Sequence, residues 1–477
     1  MDQFNLLTWA QTNDYDIVGQ AILPARKETR VPLPKGFSAP IYKEILEALG
    51  IPDGLVWRHQ AEALEAVDEG FSNAVVSTAT ASGKSLIFQL ASIHKILSHP
   101  EAGHRALVFY PTLALNNDQH QSWKKIFEAA KFDPSHLAVI DGSVPVADRE
   151  AILKHAKVAL MTPDVVHAWL MGNLRSEAVQ GFLRGLALKT LDEAHIYDGV
   201  FGSYMSYLLK RVAFAQAVLN PHYREGFHDQ IIMATATLPE PREFAMSLTG
   251  KDAWVIGPEF DTSPQYERSV YLIRTPDKRR NTAMRLLVNN LAAQEESGGM
   301  LTFAASRVKA NELTDDGNAY LRKLGSKFRL AAHMGGFDKT YRQDLEQEFR
   351  EGKVKGLIAT PTLDVGVDFA NVKTIVIDGL PENPGRFRQR FGRIRKGGTC
   401  YIIEERSNLQ RQGTVLDEYL RREAYQPILY LVNKKIQAEQ AQCLLDEMDA
   451  LDVVDVEEYA KAVSWPRGFV DTLRDLA

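Results

Sequence analysis

The chain has 477 residues, 45% hydrophobic and 25% charged, a globular balance that excludes a disordered polymer or a fibre and leaves room for two or three domains. Its net charge of -5 excludes a general electrostatic footprint for nucleic acid, so any such binding must come from a local basic surface or from backbone contacts. The two cysteines, Cys400 and Cys443, are too few for a disulfide framework or a structural zinc site, no run nears the roughly 20 apolar residues of a membrane span, and the acidic residues within 1–22 are unlike a secretory leader, so a cytoplasmic protein is expected.

Residues 1–50, with the proline-punctuated "LPARKETRVPLPKGF", read as an extended N-terminal extension. From about residue 73, apolar runs alternate with helical patterns: "NAVVST", "RALVFYP", "HLAVID", "KVALMTP", "LALKTLDEAH" and "QIIMATAT". This rhythm predicts an α/β domain over 51–262, a mostly parallel sheet with helices on both faces. "GPEFDTSPQ", at 257–265, has the polar, Gly- and Pro-marked composition of a linker. A second series follows, "SVYLIRT", "GMLTFAAS", "FRLAAHMG", "KGLIAT", "TIVIDG" and "TCYIIEE", and predicts a second α/β domain over 263–406. Residues 407–477 read as a helical tail, because Leu, Ile, Val and Tyr recur at helical intervals between 411 and 450.

Between the first of these strands and a helical run lies "STATASGKS", Ser77 to Ser85. Strand, loop and helix is the context of a phosphate-binding loop, in which backbone N–H groups and a helix N-terminus meet phosphate oxygens. In that role Thr80, Ala81, Ser82 and Gly83 cradle the nucleotide, Lys84 reaches the β and γ phosphates of ATP, and the Ser85 hydroxyl holds magnesium. Thr78 stands where such loops carry their first glycine, and Ala81 fits if its backbone stays in an ordinary region. A helix start that merely contains Gly-Lys-Ser reads the same in isolation.

The run "LKTLDEAHIYDG" shifts the balance, since it sets Asp192 and Glu193 at the end of an apolar strand. One carboxylate there can hold magnesium and the next can activate water for in-line attack on the γ phosphate. Upstream, Gln60 in "WRHQAEALEAV" is placed to read adenine, or simply to open a helix. In the second domain "RFRQRFGRIRK" brings Gln389, Arg390, Arg393, Arg395 and Lys396 onto a helical segment. Such a basic helix is a solvated face, a phosphate-backbone contact, or a source of arginine that stabilises charge on the transferring phosphoryl group.

Taken in order, "TATASGKS", "YPTLALNNDQ", "MTPD", "LDEAH", "TAT", "TFAASR", "ATPTLDVGVDF" and "QRFGRIRK" resemble the motifs of superfamily-two DEAD/DEAH-box helicases. More narrowly, "LPARKETRVPLP", "TASGKSLIFQLA", "EAHIYDGVFGS" and "ATLPEPREFAMSLTG" resemble the MrfA-type mitomycin-repair, RecQ-four-like helicases. The second half also resembles CRISPR-associated interference helicases. The resemblance implies two tandem RecA-like domains that hydrolyse ATP with magnesium and move 3′ to 5′ on single-stranded or fork DNA. It implies a role in repair near the nucleoid, or as the motor of an antiviral defence complex, or as a clamp without unwinding.

By the same resemblance Lys84, Asp192, Glu193, Gln389, Arg393 and Lys396 carry catalysis, and Gly366 and Asp368 join the nucleotide site. Thr112, Thr162, Ser306, Arg307 and Thr360 face the nucleic-acid backbone, while His195, Thr235 and Thr237 couple hydrolysis to strand movement. Two positions depart from the family: Leu113 replaces a common lysine, and Arg395-Lys396 replaces Gly-Arg. The family's cysteine-rich C-terminal domain has no counterpart after Lys396, so a protein partner is expected to recruit this chain, docking on residues 1–50 or on the tail.

Overall fold

The computed structural model describes residues 4–71, 73–220, 229–294, 298–360, 369, 371–413, 415–459 and 463–477. The chain forms two compact units, one made of Thr29–Thr262 with Gln426–Ala477 and the other of Met1–Glu28 with Ser263–Tyr425. The crossing at Thr262/Ser263 falls inside the Gly/Pro-marked stretch.

The first unit carries a seven-stranded sheet in the spatial order Trp254–Ile256, Asn73–Ser77, Gln230–Thr235, Leu186–Leu191, Arg105–Phe109, Val158–Met161 and Leu137–Ile140. Every pairing in it is parallel. Alternate side chains of one strand feed opposite cores, as the period of two requires. Val75, Leu107 and Phe109 pack with Met205, Leu208 and Phe244 on one face, whereas Ala74, Val76, Ala106 and Val108 pack with Ile87, Leu90 and Trp123 on the other. Burial on both faces explains why these strands read as unbroken apolar runs.

The second unit repeats the design with the order Asp16–Leu23, Arg268–Thr275, Gly398–Glu405, Val372–Asp378, Gly299–Phe303, Gly356–Ala359 and Leu330–His333. Only Asp16–Leu23 runs antiparallel to its neighbour. The N-terminal extension is therefore divided: its first part is an edge strand of the second unit, and Pro40–Ala48 is a helix of the first. Gly19 lets the edge strand lie close under a helix, since a Cβ there would sit 2.7 Å from the Leu416 Cβ.

The tail is divided as well, and only part of it is helical. Arg406–Gln412 and Leu416–Arg421 are helices of the second unit, whereas Lys434–Ala450 packs on the first. The stretch before Lys434 is extended, where Pro427 disfavours helix at the residue before it. It is pinned along the start of the helix Gly199–Leu219: Gly199 N donates to the Ile428 carbonyl (2.8 Å), Tyr430 N to Ser203 Oγ (2.7 Å) and the Tyr207 hydroxyl to the Leu431 carbonyl (2.6 Å).

Ile436, Leu444 and Met448 then bury against Tyr207 and Phe214, with Phe469 and Leu473 closing the cluster. Beside it the fully buried Arg211 sets its Nε 3.5 Å from the Glu447 carboxylate, and burial pushes the Glu447 carboxyl up to about 7. Leu444→Ala should cost about 2–4 kcal/mol of stability by lost burial and cavity formation. Urea unfolding of wild type and variant followed by circular dichroism measures it; a change near zero would mean that the tail is not part of the first unit's core.

Candidate nucleotide site and nucleic-acid face

The strand Asn73–Ser77 is buried throughout and ends in a loop that feeds the helix Ser85–Ser98. Two loop residues turn left-handed, Gly83 at φ 69° and Ala81 at φ 66°. Gly83 has no alternative, because a Cβ there would also lie 2.6 Å from the Trp57 ring and 2.9 Å from Gln60 Nε2. Ala81 departs from the sequence expectation of an ordinary backbone; alanine in this region stores strain that glycine would not.

Thr78, in place of the first glycine, bridges the loop with its Oγ1 2.8 Å from Ser82 Oγ. The fully buried His59 donates its Nε2–H to the Ser82 carbonyl (2.8 Å) and stacks on Trp57. Gln60 donates to the Gly83 carbonyl (2.9 Å) and accepts from Trp57 N (2.9 Å), so both ends of its amide hold the loop and its own helix start. The buttressing by Trp57, His59 and Thr78 escaped the sequence reading, although "WRHQ" so close to the loop strand carried the signal.

Lys84 is buried at the helix start, and its Nζ donates to the Ala79 (2.9 Å) and Thr78 (3.2 Å) carbonyls. Burial pushes its ammonium below the usual lysine range, opposed by the fields of Glu193, Asp192 and Asp261. Asp192 ends the strand Leu186–Leu191 and is likewise buried, which together with neighbouring Glu193 pushes its carboxyl up to about 7, against the pull of Lys84. The Asp192 Oδ1 accepts from Glu193 N (3.0 Å), and Glu193 itself is left-handed at φ 49°.

From Glu193 the contacts continue to His195. Its Nδ1 lies 3.6 Å from Glu193 Oε2 and 3.4 Å from Thr235 Oγ1, and accepts from Ala236 N at 3.4 Å. Burial keeps this imidazole below its ordinary range, so a neutral ring touches the second acidic residue and the end of the strand Gln230–Thr235 together. Thr237, two residues on, is half-buried.

Lys84, Ser85, Asp192, Glu193, His195 and Thr235 all belong to the first unit, whereas Gln389, Arg393 and Lys396 belong to the second. Ser85 and Asp192 offer hard oxygen donors, the kind magnesium takes, and the described residues hold no cluster of three acidic, histidine or cysteine side chains that would cage a metal alone. Were magnesium to bind, Ser85 and Asp192 would hold it, and it would supply neutralisation of phosphate charge.

In the second unit Gln389 lies on the helix Pro384–Phe391, and Arg390 is buried there with its guanidinium 4.7 Å from the Phe303 ring. Arg393 is half-buried, and Arg395 and Lys396 are exposed. Thr112 and Ser306 each cap a helix, accepting from Leu115 N (3.3 Å) and Lys309 N (3.2 Å), which leaves their remaining lone pairs for a ligand. Thr162 and Thr360 are buried at strand ends, and Arg307 is exposed at the start of its helix. Gly366 and Asp368 lie outside the described residues.

Residues 57–244 match the DEAD/DEAH box helicase family and residues 281–398 the helicase conserved C-terminal domain. The chain carries the two domains of a superfamily-two helicase. It is 28% identical over 441 residues to an uncharacterized ATP-dependent helicase of Methanocaldococcus jannaschii, a match covering 88% of this chain and 60% of that relative. Against the ATP-dependent helicase hrq1 of Schizosaccharomyces pombe the identity is 25%, covering 77% of this chain and 35% of that one. The crystal structure of the DUF1998 helicase MrfA bound to DNA has TM-score 0.80 at 21% identity, over 96% of this chain and 62% of that one, a likeness of fold. This helicase thus spans less than two thirds of the length of each of these relatives. No helix among its described residues is long and apolar enough to cross a membrane.

Replacing Ala81 by glycine should relieve the left-handed strain, worth about 1 kcal/mol, and leave nucleotide affinity intact. Gly83→Ala should lose nucleotide binding through the clash with Trp57. Thermal melting with and without a non-hydrolysable ATP analogue checks both; a destabilised Ala81→Gly would mean the loop is not strained.

Proposed function

We propose that this helicase is an ATP-dependent motor that translocates 3′ to 5′ on single-stranded DNA in repair, at the nucleoid. The observation that carries the reading is the buried Lys84 ammonium in the field of Asp192 and Glu193, with His195 joining Glu193 to Thr235 and Ala236. In this reading Lys84 and the loop amides bind the triphosphate, Ser85 and Asp192 hold magnesium, and Glu193 orients the attacking water. Thr80, Ala81, Ser82 and Gly83 line the phosphates, and Gly366 and Asp368 take part in nucleotide binding. A lone lysine with no acidic partners would fit only passive nucleotide binding.

Thr112, Thr162, Ser306, Arg307 and Thr360 contact the strand backbone, a sequence-neutral grip compatible with an acidic protein. His195 transmits the state of Glu193 to Thr235 and Thr237. A protein partner directs the motor to its target. The tail's inner face is occupied by the first unit's core, so the partner meets its outward residues, among them Ile428, Tyr430 and Val432.

A 3′-overhang duplex should be unwound with ATP while a 5′-overhang duplex stays intact, and binding should weaken steeply with salt. ATP hydrolysis with no strand release from either substrate would contradict the motor and favour a clamp. Within "QRFGRIRK" Arg393 should carry the larger catalytic share, because a guanidinium fork matches phosphate oxygens better than the point charge of exposed Lys396. Steady-state kinetics decide this: Arg393→Ala should lower kcat more than it raises KM, whereas a silent Arg393→Ala beside an inactive Lys396→Ala would reverse the assignment.

A further inference from the structure

A cavity of about 350 Å³ opens in the first unit between the residues after Thr162, the start of the helix Gly199–Leu219 and the helix Lys434–Ala450. Its volume suits a small planar ligand. Pro163, Asp164, Phe201, Tyr204 and Glu439 form its working walls, and no lysine or arginine lines it. Phe201 is 38% exposed and rests against Tyr197 with ring centroids 5.4 Å apart, so the ring is held while part of it stays accessible. The Tyr204 hydroxyl donates to Glu439, which fixes that carboxylate and leaves it further lone pairs. Asp164 is exposed on the same rim.

Two carboxylates with no cation among the lining residues repel phosphate and accept hydrogen bonds from amino groups. An aromatic face gives any base a stacking partner, and the acidic rim favours bases that carry an exocyclic amine. We propose that this cavity takes one nucleobase of the bound single strand, stacked on Phe201 with its amino group toward Asp164 and Glu439. The inference rests on the strand reading above, in which the backbone passes Thr162, one residue before Pro163. The phosphates stay outside on the threonine side and only the base enters. A preference for cytosine over thymine follows, in a protein otherwise indifferent to sequence.

The test is fluorescence anisotropy of the full chain with short oligo-dC and oligo-dT strands. Wild type should bind oligo-dC about 5-fold more tightly than oligo-dT, and Phe201→Ala should weaken oligo-dC binding about 5- to 10-fold, the loss of one stacking contact. Phe201→Trp should restore it, and Asp164→Ala should erase the gap between the two strands. Unchanged melting temperatures establish that the variants are folded. Equal affinity for both strands in wild type, or an unaltered Phe201→Ala, overturns the base pocket while leaving strand binding intact. Binding of neither strand by wild type overturns the strand reading and the pocket together.

Discussion

The first unit depends on holding a buried positive charge beside two carboxylates. Lys84 is pulled out of water by the closing of its loop, and a buried ammonium persists only where carbonyls and opposite charges replace the lost hydration. The Ala79 and Thr78 carbonyls, with Asp192 and Glu193, are that replacement. Burial raises Asp192 and lowers Lys84, each against the pull of the other. The same buried cluster explains the scaffolding around it: Gln60, His59 and Thr78 spend their polar groups on fixing the loop, and Gly83 gives way to Trp57.

His195 brings the second carboxylate of the site against the end of a neighbouring strand. The Nδ1 of its imidazole lies within reach of Glu193, Thr235 and Ala236 together. Leu238 N in turn donates to Ser77 Oγ (2.9 Å), tying the residues after the strand Gln230–Thr235 back to the strand that carries the phosphate loop. The cavity at Phe201 lies on the same helix start that follows these acidic residues, with Tyr197 between them.

Much of this was legible in the residues, and the limits have physical causes. Parallel strands buried on both faces write themselves as apolar runs, so "NAVVST" or "TIVIDG" could hardly be read otherwise. Asp16–Leu23 hid because its side chains alternate between exposed and half-buried and its partner, Arg268–Thr275, lies far along the chain. The extended stretch around Leu429 was taken for helix since Leu, Ile and Tyr fit both periods, and only Pro427 argued against it. Within the site, Lys84, Asp192 and Glu193 were readable from spacing, whereas the left-handed Ala81 and the turning of Gln60 toward its own loop belong to tertiary structure. The splitting of both termini between the units left no local trace, as contacts distant in sequence decide it.

Whether the buried lysine binds the triphosphate while the second carboxylate activates water is decided by measuring nucleotide affinity and single-turnover hydrolysis side by side in two variants. Lys84→Ala should lose affinity, and with it turnover, because no other described lysine reaches the loop carbonyls that Lys84 holds. Glu193→Gln should keep near-normal affinity and fail to hydrolyse. Equal losses of binding and turnover in Glu193→Gln, or a Lys84→Ala protein that still binds ATP tightly, would contradict it.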